Sequence, residues 1–97
     1  MYKVKHNIIK PLKTQFKGRG EDKGYLFSLL GMTNQAFLYE VSLCDRKHFE
    51  VFKKRINKRF SCVSYPTSKA FGIWAFTYMN LKSAIRKYNE LNQKSDE

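Results

Sequence analysis

Acidic residues are scarce in this chain: eight Asp and Glu stand against nineteen Lys and Arg, a net charge of +11. Histidine is scarcer still, with only His6 and His48, and three of the eight acids fall in the last eight residues. Catalysis needs titratable groups in convergent sets, so no enzymatic activity is expected. Cysteine is limited to Cys44 and Cys62, without the paired spacing of a disulfide framework, which fits a reducing, cytoplasmic setting. Cys44, His48 and Cys62 offer a weak zinc set, lacking a second close-spaced pair; a buried free cysteine on a strand is the commoner state. The opening MYKVKHNIIKPLKTQ has no apolar h-region of a signal peptide, and no apolar run approaches the roughly 20 residues of a membrane span. KGRGEDKG at 17–24 lacks the strand-to-helix setting and Lys-Ser/Thr ending of a phosphate loop. Glu21 and Lys23 have the E-x-K spacing of restriction-type nucleases but no acidic partner upstream. No cofactor, metal, membrane or small-molecule substrate is therefore expected.

What the chain does have is aromatic mass and positive charge. Eight Phe, six Tyr and one Trp sit among 42% apolar residues, each ring worth about 1.5–3 kcal/mol when fully buried. At 97 residues the length allows one domain, 1–97, with one modest core. The charge excess opposes folding through self-repulsion, yet it gathers polyanions and speeds their encounter. The expected partner is nucleic acid, RNA or DNA, or a ribonucleoprotein.

Residues 1–23 read as a basic arm or first strand (YKVKHNII, ended by Pro11) followed by a glycine-rich loop. Residues 24–78 read as a β-rich core. GYLFSLL is followed by a polar turn and by AFLYEVSL, where Phe37, Tyr39, Val41 and Leu43 share one face and Ala36, Leu38, Glu40 and Ser42 the other. A CDRKH connection into HFEVFKKR makes a hairpin, FSCVSY alternates up to Pro66, and GIWAFTY places Trp74, Phe76 and Tyr78 on one face. Asn80 caps a helix over about 81–92, with Leu81, Ala84, Ile85, Tyr88 and Leu91 at helical spacing, before a polar tail at 93–97. The fold class expected is α+β: a small antiparallel sheet of about four or five strands with one C-terminal helix packed on it.

The stretch EVFKKRINKRF at 50–60 admits a basic helix or a strand leading into a turn near Asn57, and its strand-forming neighbours favour the second. Either geometry projects Lys53, Lys54, Arg55, Lys58 and Arg59 together, joined by Arg46 and Lys47 from the preceding turn: seven cations against one acid, Glu50. With Lys13, Lys17 and Arg19 of the N-terminal segment they are the candidate binding residues, suited to gripping phosphates. Lysines that guard a sheet edge are the plainer alternative. Tyr65 and Phe71, beside the Pro66 loop, are candidate platforms for stacking bases, whereas Trp74 and Phe76 are expected in the core.

FTYMNLKSAIRKYNEL, residues 76–91, resembles the end of plant-type AP2 DNA-binding domains, where a strand runs into a helix with the Ala-x-x-x-Tyr pattern matched here by Ala84 and Tyr88. The resemblance spans sixteen residues, and the Arg- and Trp-bearing strand motifs of that family are absent upstream, so no DNA-reading residues carry over. In its small size, basic charge and wealth of Phe, Tyr, Met, Ile, Asn and Lys, types with A/T-rich codons that make up 42 of 97 residues, the chain also resembles accessory proteins of phages and mobile elements, a population that includes anti-CRISPR proteins. The leading expectation is a non-catalytic nucleic-acid-binding module, RNA slightly favoured. The alternatives are an inhibitor docking on one large nucleic-acid enzyme, such as an RNA-guided effector, and a structural subunit of a larger particle.

Overall fold

A computed structural model describes residues 10–93 of the chain. The expected strand at 2–9 and most of the polar tail lie outside the described residues. Five antiparallel strands form one sheet in the order β1 (Gln15–Lys17), β2 (Leu26–Met32), β3 (Ala36–Leu43), β4 (Arg46–Lys53) and β7 (Ala75–Tyr78). A separate hairpin of β5 (Ile56–Asn57) and β6 (Cys62–Val63) interrupts the chain between β4 and β7, and α1 (Leu81–Gln93) closes it. The fold is α+β, as the alternation and the capped helical segment predict.

The β3–β4 hairpin is the frame. Its register pairs Phe37 with Phe52, Tyr39 with Glu50, Val41 with His48 and, on the other face, Leu38 with Val51. Period-two alternation therefore divides the apolar residues into two cores. Under α1 lie Ala36, Leu38, Phe49 and Val51 with Ala84 and Leu91 of the helix, flanked by Phe76, Tyr78 and Tyr88. The opposite face carries Phe27, Phe37, Tyr39, Val41 and Phe52, and no described α-helix covers it. Irregular chain does so instead, through Leu12 on one side and Val63, Tyr65, Ala70, Phe71 and Trp74 on the other.

Asn80 caps α1 as its sequence position implies, accepting the Ser83 N–H at 2.8 Å. The buried stripe is narrower than the helical spacing suggests: Ala84 and Leu91 are buried, while Leu81 and Ile85 stay exposed. At about 100° per residue, the contact line through positions 84, 88 and 91 leaves 81 and 85 on one flank. Tyr88 lies over Gly31, where a Cβ would stand 3.2 Å from its ring. Gly31 thus belongs to β2, beside a register shift between Leu29 and Gly31, and not to the turn that GMTNQ suggests. The turn itself is built on Thr33, whose hydroxyl accepts the N–H groups of Gln35 and Ala36, both at 3.1 Å, and donates to Asn92 of α1.

Trp74 departs from the shared face expected with Phe76 and Tyr78. The chain turns through Gly72 at φ +93, β7 begins only at Ala75, and Trp74 packs with the opposite core. FSCVSY likewise yields only the two strand residues of β6, because Ser61 takes φ +51 in the turn before it.

Ala84 is fully buried between α1 and the sheet. Ala84→Leu should overpack that seam by about 1–3 kcal/mol, lowering Tm by at least about 4 °C in a thermal melt.

Candidate nucleic-acid interface

The 50–60 stretch is strand and turn, not helix. β4 ends at Lys53, the chain steps sideways through Lys54 and Arg55, and β5 follows. Asn57 shapes the turn by accepting the N–H groups of Arg59 at 3.0 Å and Phe60 at 3.2 Å. Phe60 does not re-enter a sheet position; it stands 64% exposed at the hairpin tip, with the Arg59 guanidinium 5.3 Å from its ring centre. Arg55 lies over Trp74 at 5.0 Å. Such stacking holds a long side chain in place while its N–H donors remain outward.

Val63, buried in the aromatic core, anchors the hairpin from below. Its backbone is moored to the N-terminal segment: Lys10 N–H donates to Ser61 O at 2.8 Å, and Val63 N–H donates to Lys10 O at 2.9 Å. Two basic segments some fifty residues apart in sequence thereby become one ledge, with Lys10 at the junction. Lys53, Arg55, Lys58 and Arg59 are exposed on it and Lys54 is half-buried. Among the described residues the ion pairs are Lys47–Glu40 at 3.8 Å and Lys87–Glu90 at 3.0 Å, with Glu50 hydrogen-bonded to His48 at 3.0 Å, so the ledge cations have no acidic partner there.

Arg46 and Lys47 do not join this group. They open β4 and Lys53 closes it, a span of about 23 Å at 3.3 Å per residue. Lys47 is instead paired with Glu40 at 3.8 Å.

Behind the ledge lies an open cleft of about 1070 Å³. Lys10, Lys13, Lys17 and Arg19 supply cations along it, Phe16, Phe27 and Phe71 supply rings, and Glu50 and Asp22 supply carboxylates. The side chain of Glu50 is 14% exposed. Its Oε1 accepts the Tyr65 hydroxyl at 2.7 Å and its Oε2 meets His48 Nε2 at 3.0 Å. Burial first, and the Glu50 carboxylate second, push the Tyr65 phenol far above its ordinary pKa, so it stays a neutral donor. Tyr39, whose hydroxyl donates to Lys13 O at 2.7 Å, is pushed up to about 12 by burial.

Tyr65 is therefore occupied: its ring makes edge contacts with Phe52 at 4.8 Å, Tyr39 at 5.2 Å, Phe27 at 5.3 Å and Phe16 at 5.5 Å. Phe71 is half-buried on the cleft wall. The free ring that sequence reasoning missed is Phe60; Lys10 and Glu50 were also missed, because their roles depend on long-range pairing. Among the described residues no group of three metal-ligating side chains comes together, so Cys44, His48 and Cys62 do not assemble a zinc set. No described helix is long and apolar enough to cross a membrane. No family model, curated protein or solved structure matches the chain.

The two buried phenols set an alkaline limit. An unfolded tyrosine ionises near pH 10 whereas folded Tyr39 holds its proton to about 12, so their contribution is complete below pH 10 and falls as pH rises through that window. Urea midpoints should drop between pH 10 and 12. Tyr65→Phe should cost about 1–3 kcal/mol at pH 7 by leaving Glu50 short of a donor, and should flatten the alkaline loss.

Proposed function

We propose that this chain is a non-enzymatic nucleic-acid-binding module, RNA slightly favoured, that grips the phosphates of a single strand along the Lys10–Lys53–Arg59 ledge. The observation that carries the reading is the union of the 10–19 and 53–59 cations through the backbone bonds of Lys10 to Ser61 and Val63. Phosphate contacts require several cations at fixed spacing without local acids to neutralise them, which the ledge supplies. Phe60 beside Arg59 adds an apolar face on which any base can stack. A flexible single strand can follow both the ledge and the cleft behind it, which suits RNA loops and unpaired segments.

A second reading draws on the exposed apolar flank of α1. Leu81 and Ile85, one helical turn apart, stand beside exposed Met79, and such a flank suits contact with a protein that itself carries nucleic acid, as an inhibitor of a nucleic-acid enzyme would.

With about six phosphate contacts on a single strand, log K should fall with log salt at a slope near −4. Lys53→Glu, Lys54→Glu and Arg55→Glu together should bring that slope to about −2 and weaken binding of a fluorescent RNA at every salt concentration. Lys82→Glu with Arg86→Glu, on the helix, should leave the slope near −4. A slope unaffected by the first triple change removes the reading. Absence of any shift at about 50 mM salt, with Leu81→Glu or Ile85→Glu disrupting a co-purifying enzyme, would favour the second.

A further inference from the structure

Glu50 is an anomaly in a surface otherwise suited to phosphate. A carboxylate at the base of a cation-lined cleft weakens the hold on an anion, and a sheet position between Tyr39 and Thr77 would accept an apolar residue at lower desolvation cost. The molecule nevertheless orients it with two partners, Tyr65 on Oε1 and His48 on Oε2. Each carboxylate oxygen offers two acceptor sites, so one remains on each oxygen. Glu50 itself lines the cleft, together with the rings of Phe16 and Phe71.

Few ligands satisfy all the groups that line this cleft. A simple amine or guanidinium would suit Glu50, but Lys10, Lys13, Lys17 and Arg19 along the same cleft repel it. A bare phosphate suits those cations and is repelled by Glu50 and by Asp22, the second carboxylate of the cleft. The ligand must be planar, carry donors at one end and be anionic at the other, which describes a nucleotide. Among the bases, guanine alone presents two adjacent donors, N1–H and N2–H, on its Watson–Crick edge. Uracil offers one donor flanked by two carbonyls that oppose a carboxylate, while adenine and cytosine each offer one amino donor beside a ring acceptor.

We propose that the cleft seats one unpaired guanine of a bound strand, with Glu50 accepting from its N1–H and N2–H edge, the Phe16 and Phe71 walls enclosing the ring, and Lys10, Lys13, Lys17 and Arg19 meeting the flanking phosphates. This rests on the nucleic-acid reading above and adds base selectivity to it. Tyr65 and His48 act as positioning residues, holding the carboxylate so that its remaining acceptors face the cleft.

Three labelled hexamers test it by fluorescence anisotropy at fixed salt: r(UUGUUU), r(UUAUUU) and r(UUIUUU), in which inosine removes only the N2 amino group. The guanine hexamer should bind about tenfold more tightly than the adenine one, since one good bidentate pair discriminates by about that much. Inosine should fall between them. In Glu50→Gln, which keeps the shape and an acceptor for Tyr65, the guanine-to-adenine ratio should approach 1, with a thermal melt run alongside to register folding. If that variant fails to fold, the inosine comparison on the unaltered protein decides the matter alone. Equal affinity for guanine, inosine and adenine overturns this inference while leaving the phosphate grip intact; no salt-dependent binding of any hexamer overturns the grip itself. Competition by free GMP as effective as by the guanine hexamer would overturn the strand as the source of the base.

Discussion

The hydrogen bond from Tyr65 to Glu50, at 2.7 Å, is the point on which the uncovered face of the sheet depends. That face has no α-helix, only the short strand β6, a single 3-10 turn at Ser68–Ala70 and otherwise irregular chain, and such chain holds a shape only where its side chains are tied down. Tyr65 does this twice over, inserting its ring among Phe16, Phe27, Tyr39 and Phe52 and fastening its hydroxyl to β4. Aromatic packing alone is non-directional and would let the segment slide. The directional bond fixes where the loop ends, and with it the wall that faces β1 across the cleft.

The distribution of charge follows from the same division. A net charge of +11 opposes compaction, and the repulsion is greatest where cations crowd. The molecule places much of that charge on the ledge and along the cleft, and both are held by backbone bonds and rings rather than by opposing carboxylates. Arg55 rests on Trp74 at 5.0 Å and Arg59 on Phe60 at 5.3 Å. Stacking on rings steadies these cations without neutralising them, so their field remains available to a polyanion. A lysine-guarded sheet edge would need neither the rings nor the junction at Lys10.

Strong local patterns in the sequence carried over to the structure. AFLYEVSL forms β3 with the two faces its alternation implies, and Asn80 caps a helix whose end falls within a residue of the expected one. The strand-then-turn character of 50–60 was legible because HFEVF favours strand and Asn57 favours a turn. Long-range consequences were not. The position of Lys10 beside β6 rests on a bridge between residues 10 and 62, which no local propensity encodes. Tyr65 looked like an exposed platform because Pro66 marks a loop, yet that loop folds back over the sheet and packs the half-buried ring against its aromatics. Arg46 and Lys47 looked close to Lys53 because they are near in sequence, whereas a β-strand converts seven residues into a separation of about 23 Å.

Gripping and reading place opposite demands on a surface, and in the proposed reading they fall on different supports, the β5–β6 hairpin and strand β4. Phosphate contact tolerates movement, since a cation on a long side chain can follow a backbone through several ångströms, so a two-residue-strand hairpin with an exposed tip is sufficient. Discrimination between bases requires acceptors held within fractions of an ångström, because its free energy comes from the mismatch suffered by the wrong base. Glu50 sits on the central strand pair, locked by Tyr39 and Thr77 across the ladder and by two side-chain partners above it. A carboxylate on the exposed hairpin tip would only weaken a grip on phosphate. On the sheet, behind the ledge, the proposed reading has it select one base while the ledge holds any strand.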